Sequence, residues 1–540
     1  MKHTPQSLER RKVRSAIDWS CCGQTLLNYL VSRFSYRDSA AWRQVIESGE
    51  ITVNGRQEPP EKILQLHDQV EYQPKELPEP PAEMHYKVVY EDRDLLVIDK
   101  PGNLCVHPAG PFFKHTLWHM LCSKYGEIHF INRLDRETSG LMIAAKNKET
   151  AAKFTGKERI RKKVYTVLVH GFFDKSVLAR GFLAKDYNSS IRKKRHFHLT
   201  EPQGPCESAE TLLEPLKSNG GFSLVRATLF TGRMHQIRAT LCSLGYPVAG
   251  DKLYGPDEEL YLKQKTDSIT ENDWKKLIFK RQALHASQLI FEHPVTGEEL
   301  AFESPADFVL PEVKIAITGA EGFIGRFFAG ALMERGIHFA AVPRRLWDDE
   351  AELQRFFQPG QKVFHFAGLS RHEDGDHLYR TNLELSAKLC RALRGKEALL
   401  YFASSPHVLD HDLPYHRSKR DSMKLFAENG IQASALLMPN TFGPGSKPFY
   451  NSVVSTFALL AAQKKQPEQL NDVILQLIPV RELCRKLALL AEGPFVREWS
   501  IQPTIRVSLP GLWERLNRSS SRDELDELLH EMRDFFSAGA

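Results

Sequence analysis

One aspartate lies between two arginines in the run Ile131-Asn132-Arg133-Leu134-Asp135-Arg136-Glu137-Thr138-Ser139-Gly140-Leu141. Adjacent positive charge favours the ionised carboxylate. The same cations attract a phosphate backbone. An ionised carboxylate that meets a nucleic acid is a candidate nucleophile. Asp135 is therefore the first residue to which chemistry can be assigned, with Arg133 beside it. A structural ion pair on a loop is the other reading of an isolated Arg-x-Asp. The run 141–146 (Leu-Met-Ile-Ala-Ala-Lys) reads as a buried strand, and charges packed so tightly between apolar flanks are not ordinary surface.

A second concentration of chemistry begins at 313. Val313–Thr318 reads as a buried parallel strand. It runs into Gly319-Ala320-Glu321-Gly322-Phe323-Ile324-Gly325, which opens a helix. A glycine-rich turn of this kind lets the backbone approach a pyrophosphate seated on the helix N-terminus. Gly319, Gly322, Phe323, Ile324 and Gly325 are the candidates for that contact. Phe339–Val342 reads as the second strand and ends at Arg344-Arg345. An NAD-preferring site places an acidic residue there for the ribose hydroxyl, so arginines suit the 2′-phosphate of NADP. Val363–Gly368, with Ala367, reads as a fourth-strand motif. Phe402–Ser405 is a strand ending in serines, and Tyr415-x-x-x-Lys419 follows.

The elements that position these groups follow from pattern. At 540 residues the chain needs two to four domains. Its 42% hydrophobic and 26% charged residues are those of globular protein, and a net charge of +6 permits nucleic-acid binding without requiring it. The eight cysteines are scattered, and Cys21-Cys22 has no partner pair at zinc spacing. Free thiols, no metal, no membrane span and a cytoplasmic location are the expectation. Residues 1–17 read as a basic flexible arm. Over 18–76, Leu26, Leu27, Leu30 and Val31 keep helical spacing, as do Trp42, Val45 and Ile46. Gly49 ends the second helix, and Ile51–Arg56 is a strand entering an Asn-Gly turn. A Pro/Glu-rich linker occupies 77–86. Strands follow from 87, and the basic run Lys157–Lys163 leads into the strand Val164–Val169. A solvated charge run is the plain reading of those lysines and arginines.

Three separated motifs resemble the RluA-type RNA pseudouridine synthases. The first is His-Arg-Leu-Asp-x-x-Thr-Ser-Gly, complete here except that Asn132 replaces the leading His. The second is a Lys-x-Tyr ending at Tyr165. The third is Thr231-Gly232-Arg233-Met234-His235-Gln236-Ile237-Arg238, followed by Leu244-Gly245-Tyr246-Pro247-Val248-Ala249-Gly250-Asp251, with Met234 in place of Thr. The resemblance spans about 87–310. It implies Asp135 as catalytic aspartate, Arg133 as the residue that helps expel the target base, Tyr165 as its stacking partner and Arg238 as the arginine paired with Asp135. It implies a flipped uridine and no cofactor for that reaction. Lys162, Lys163, Arg233 and His235 are the expected RNA contacts of this part. Residues 18–76 resemble the S4-like RNA-binding domain, which implies Arg37, Arg43 and Arg56 as phosphate contacts. A helical hairpin with a short strand pair is the alternative. Arg192–Arg195 is a further basic loop expected to face RNA.

Residues 313–540 resemble the extended short-chain dehydrogenase/reductases, which include the NAD-dependent epimerases and dehydratases. The resemblance implies Tyr415 as acid/base, Lys419 as its modulator and ribose contact, Ser405 as the substrate-orienting serine, and NADP or NAD as cofactor. Leu409 stands where that family has tyrosine, and the part beyond about 446 matches poorly. The expected architecture is multidomain. A small α+β S4-like domain is followed by an α+β synthase domain (87–310) with a mixed, mainly antiparallel sheet. An α/β Rossmann domain (313–540) with a doubly wound parallel sheet completes it. The expected function is isomerisation of uridines in a structured rRNA or tRNA, with no DNA partner. A sugar-nucleotide epimerase/dehydratase or NADP-sensing protein whose front half only binds RNA is the alternative. The short junction near 308–313 suggests that the two halves pack together.

Overall fold

The computed structural model describes residues 13–34, 37–73, 79–155, 159–255, 257–450, 452–468 and 470–538. The chain divides into two compact units. The first runs to Val164 and takes back Leu284–Ala306; the second comprises Tyr165–Ala283 and everything from Asp307. The chain thus changes unit inside the strand Ile160–His170, again at 283–284, and again at 306–307.

The first unit opens with a small α+β layer. Helices Leu26–Arg33 and Ser39–Glu47 are capped by Thr25 and Asp38, whose side chains accept from the amides of Asn28 and Ala41. Their apolar faces, Leu26, Leu30, Trp42 and Ile46, bury against Ile51, Val53 and Val70. Strand Gln69–Tyr72 lies between Val13–Ala16 and Ile51–Val53, antiparallel to both. Asn54 and Gly55 take positive φ in the turn that follows.

Two expectations change here. Residues 13–16 were placed in the basic arm, but they form the edge strand of this sheet. Val13 packs on the core, Ile17 is buried, and Arg14 turns out to Glu71 at 2.5 Å. Alternation outweighs local charge. Residues 1–12 lie outside the described residues, as do 74–78 of the linker region. The linker's Glu79 is not a mere spacer, because its carboxylate accepts from the amides of Phe113, Lys114 and His115 at 2.7–2.8 Å.

The rest of the first unit is a sheet in the order Leu284–Glu292, Ser139–Ala145, Leu95–Lys100, Lys87–Glu91. Glu299–Glu303 pairs with Leu284–Glu292, and His129–Phe130 with Ser139–Ala145. The pairing of Ser139–Ala145 with Leu284–Glu292 is parallel, and the other pairings given are antiparallel. Every residue of Ser139–Ala145 is buried, as its unbroken apolar run requires.

The second unit begins with antiparallel strands ordered Arg195–His198, Val177–Lys185, Cys206–Ser218, Phe222–Leu229, and the helix Gln236–Ser243. From Asp307 it continues into a parallel six-stranded sheet. The order is Phe339–Val342, Ile315–Thr318, Lys362–His365, Leu399–Ser404, Gln432–Leu437, Trp499–Ser500. This is a doubly wound sheet with its reversal between Ile315–Thr318 and Lys362–His365. The fourth-strand motif is therefore the third strand of this sheet. Between Val342 and Lys362 the chain makes a 3-10 turn and the helix Glu350–Phe356 but no strand. A further three-stranded sheet, Asn440–Phe442, Ile474–Pro479 and Ile505–Ser508, packs with helices Val453–Ala462, Leu509–Leu516 and Glu524–Ala538. No helix among the described residues is long and apolar enough to cross a membrane.

Candidate active sites

Asp135 lies in the loop that enters Ser139–Ala145, and the loop is held at several points. Asn132 Oδ1 accepts from the amide of Ile143 at 2.8 Å, so the residue that departs from the family pattern supports backbone. Thr138 N donates to the Asp135 carbonyl at 3.2 Å. Lys100 is fully buried, and its ammonium donates to the carbonyls of Pro101 (2.7 Å), Leu104 (3.0 Å) and Arg136 (3.1 Å). Three ammonium donors meet three carbonyls, which lashes the turn 101–104 to the loop of Asp135. Lys100→Met removes this donor from all three carbonyls, of which that of Arg136 keeps only Leu104 N, so melting should fall by the equivalent of roughly 3 kcal/mol, with any activity that depends on the Asp135 loop falling alongside. Thermal melting and product formation measured on the same preparation check this; a variant that melts with the wild type removes the lashing role.

Behind the loop, Ser139 Oγ lies 2.9 Å from His285 Nδ1. His285 Nε2 lies 3.1 Å from Ser304 Oγ, which donates to Asp99 at 2.5 Å. Ser139, His285 and Ser304 are buried, so this chain ties strands together rather than presenting a nucleophile. On the loop itself Arg133 is exposed and Asp135 half-buried.

Tyr165 and Arg238 belong to the second unit, and both are buried. Arg238 Nε and Nη2 donate to the two carboxylate oxygens of Asp251 at 2.6 and 2.8 Å, a bidentate pair. Tyr254, 5.0 Å from the guanidinium, covers it. Burial acts most strongly on Asp251 and would raise its carboxyl. Arg238 and the amides of Tyr254 and Leu253 outweigh that and hold it below the usual range. Asp251 was legible as a motif letter but not as the partner of Arg238.

The expected RNA contacts divide. Arg56 and Lys162 are exposed. Lys163 is half-buried, and burial lowers its ammonium pKa. Arg37 lies over the Trp42 ring at 5.4 Å, and Arg43 pairs with Glu61 at 2.8 Å. Arg233 donates to the Ser208 carbonyl at 3.1 Å. His235 takes a left-handed backbone at the start of its helix and sits 3.0 Å from the Tyr254 hydroxyl. In the basic loop Arg192 and Lys193 are exposed, while Lys194 pairs with Glu258 at 2.5 Å.

In the parallel sheet, Gly319 has φ +71°, and a Cβ there would stand 2.7 Å from Ala367 N. A Cβ on Gly325 would stand 2.1 Å from the Gly319 carbonyl. Gly322 caps the helix Phe323–Glu334, so the first amides, at Phe323 and Ile324, open onto the turn. A backbone this close-set, at the N-terminus of a three-turn helix, fits a dinucleotide pyrophosphate. Arg344 is exposed and makes no ion pair among the described residues, whereas Arg345 pairs with Asp174. Ser405 caps a short 3-10 turn through its hydroxyl. His365 is fully buried beside Thr318 Oγ1 at 2.5 Å, and burial pulls its pKa to about 3, so it is neutral.

Tyr415 and Lys419 occupy successive turns of Pro414–Glu428. Burial pushes the Tyr415 phenol up to about 12 and pulls the Lys419 ammonium down to about 8. The Phe402 ring lies 4.4 Å from Lys419 Nζ. The folded pKa of Lys419 is below its ordinary 10.5, so the folded state is penalised while the amine is charged. The penalty is full below about pH 8 and is relieved as pH rises from there toward 10.5. Lys419→Met should therefore raise the melting temperature at pH 7 by the equivalent of about 2–3 kcal/mol, with a smaller gain at pH 10. Calorimetry at both pH values decides it, and a variant melting lower at pH 7 refutes it.

Residues 94–243 match the family model described as RNA pseudouridylate synthase, and 315–492 that of the NAD dependent epimerase/dehydratase family. Over 288 residues the chain is 32% identical to an uncharacterized RNA pseudouridine synthase, YlyB, of Bacillus subtilis, covering 50% of this chain and 85% of that protein. It is 30% identical over 314 residues to ribosomal large subunit pseudouridine synthase D of Vibrio cholerae, covering 55% and 91%. It is also 30% identical over 236 residues to the mitochondrial tRNA pseudouridine(32) synthase of Saccharomyces cerevisiae, covering 43% and 51%. A loop that presents an aspartate from a buried strand thus meets a match across most of a synthase's length: the chain belongs to the RNA pseudouridine synthase family and carries behind that part a domain of the NAD-dependent epimerase/dehydratase family.

Proposed function

We propose that this synthase converts uridine to pseudouridine in a structured rRNA or tRNA, with Asp135 as the nucleophilic carboxylate. In the reaction the N1–C1′ bond breaks and a C5–C1′ bond forms. The C5 proton leaves and N1 gains one, so atoms balance without a cofactor. Asp135 opens the exchange by attacking the flipped nucleotide. Arg133 takes the place of the expelled base, Tyr165 stacks on the uracil, and Arg238 has the role of keeping Asp135 ionised. Arg37, Arg43, Arg56, Lys162, Lys163, Arg233 and His235 meet the RNA backbone, the first three from an S4-like layer.

The observation that carries the reading is the loop itself. Its backbone is fixed by buried Lys100 and by Asn132, while Arg133 stays exposed and Asp135 only half-buried beside it. Preorganised, charged and reachable is what a nucleophile of RNA chemistry requires. The test is pseudouridine mapping by carbodiimide primer extension on total RNA from cells lacking the gene. One or a few sites should vanish and return when the full chain is resupplied. If no site in rRNA or tRNA changes, the reading fails.

The C-terminal half binds NADP in this proposal. Gly319, Gly322, Phe323, Ile324 and Gly325 hold the pyrophosphate, Arg344 the 2′-phosphate, and Ala367 and Lys419 the nicotinamide end. Bound there, the dinucleotide supplies hydride chemistry. Tyr415 holds the exchangeable proton on its phenol oxygen, Lys419 sets the charge beside it, and Ser405 orients a substrate hydroxyl.

A further inference from the structure

The strand Phe339–Val342 is the edge of the parallel sheet, with no strand of its own domain outside it among the described residues. An uncovered edge invites pairing with other chains. Here the synthase part of the same unit covers it. The turn Asn219–Gly221 reaches it closely enough that a Cβ on Gly220 would stand 2.9 Å from Ala340 Cβ, and one on Gly221 2.9 Å from the Phe339 carbonyl. Asn219 Nδ2 donates to the Pro311 carbonyl at 2.5 Å. The Phe172 ring meets Phe356 edge-on at 5.2 Å, and His338 Nε2 lies 2.9 Å from the Lys275 carbonyl.

One contact in this seam is charged. Arg345 Nη2 lies 2.5 Å from Asp174 Oδ2, with its guanidinium 5.8 Å from the Phe172 ring centre. Asp174 is 14% exposed and Arg345 41%. The Asp174 oxygen is buried yet makes no aligned hydrogen bond, so the contact is an ion pair of imperfect donor geometry. A guanidinium has five donors, and one carboxylate so placed leaves most of them for another anion. Arg344 and Arg345 stand just past the end of the second strand, where the adenosine ribose of a dinucleotide lies.

We propose that Asp174, a residue of the synthase part, sets the preference of the C-terminal half for a 2′-phosphorylated dinucleotide by competing with that phosphate for Arg345. The inference rests on the dinucleotide reading given above. Arg344 offers its full charge to the phosphate; Arg345 offers what Asp174 leaves. Binding linkage is reciprocal, so a phosphate that recruits Arg345 also weakens its hold on Asp174. A dinucleotide with a free 2′-hydroxyl has no charge to enter this competition. Occupancy by the phosphorylated form alone would thus loosen the synthase loop 172–174.

Equilibrium titration of the full chain with NADPH and with NADH, at fixed ionic strength, tests this. Asp174→Asn should tighten NADPH binding about 3- to 10-fold and leave NADH within twofold. Arg345→Gln should weaken NADPH and make the Asp174 substitution silent in the double variant, because the two residues act through one contact. Hydrogen exchange at 172–175 should rise with NADPH and not with NADH. Parallel changes for both nucleotides, or an unchanged ratio in Asp174→Asn, overturn the competition while leaving the dinucleotide site intact. If the wild type binds neither nucleotide, the dinucleotide reading itself falls and takes the inference with it.

Discussion

Asp135→Asn is expected to lower the rate of pseudouridine formation by about 10³-fold or more, the scale of losing a nucleophile. The amide keeps the shape of the carboxylate and removes its charge and nucleophilicity. The loop has anchors that do not use the Asp135 side chain: the Arg136 carbonyl on Lys100, Asn132 on Ile143, and the Asp135 carbonyl on Thr138 N. Melting should therefore stay within a few degrees of wild type. The measurement is tritium release from transcripts labelled at C5, because that hydrogen leaves when C5 joins C1′. RNA affinity is measured alongside by filter binding and should move little. A variant retaining more than a tenth of the wild-type rate would place the nucleophile elsewhere.

The chemistry of the chain was far more legible in its sequence than the contacts that position it. Ser139–Ala145 could be read because an unbroken apolar run has few alternatives to a buried strand. The turn around Gly319 to Gly325 could be read because its spacing reflects one steric need, a backbone with no room for Cβ. Lys100 could not be read. A lysine beside a proline looks like surface, and its burial depends on carbonyls as distant as Arg136. Net charge misled at residues 13–16, where strand alternation prevails. The covered edge of the parallel sheet was equally hidden. The missing outer strand is an absence, and its replacement by Asn219–Gly221 comes from a segment about a hundred residues earlier.

The pairing of Arg238 was the least legible part of the site and has the largest consequence for stability. The helix Gln236–Ser243 carries the arginine, and the turn through Gly245 and Gly250 brings Asp251 back beneath it. Asp251→Asn removes the bidentate carboxylate partner of a buried guanidinium, and removing one partner of such a pair costs about 3–5 kcal/mol. Rate should fall too, because Arg238 then loses its fixed direction. The acid limb of stability supplies a signature specific to the pair. Asp251 has a folded pKa below its ordinary 3.8, so its contribution is complete above about pH 4 and is lost as pH falls through the lower folded value. Wild type should lose stability in that window more steeply than Asp251→Asn. The two melting curves should converge toward pH 3 and stand furthest apart near neutrality. Melting temperatures from pH 3 to 7 provide the check. A constant gap across that range would mean that packing, and not the charge of Asp251, accounts for the loss.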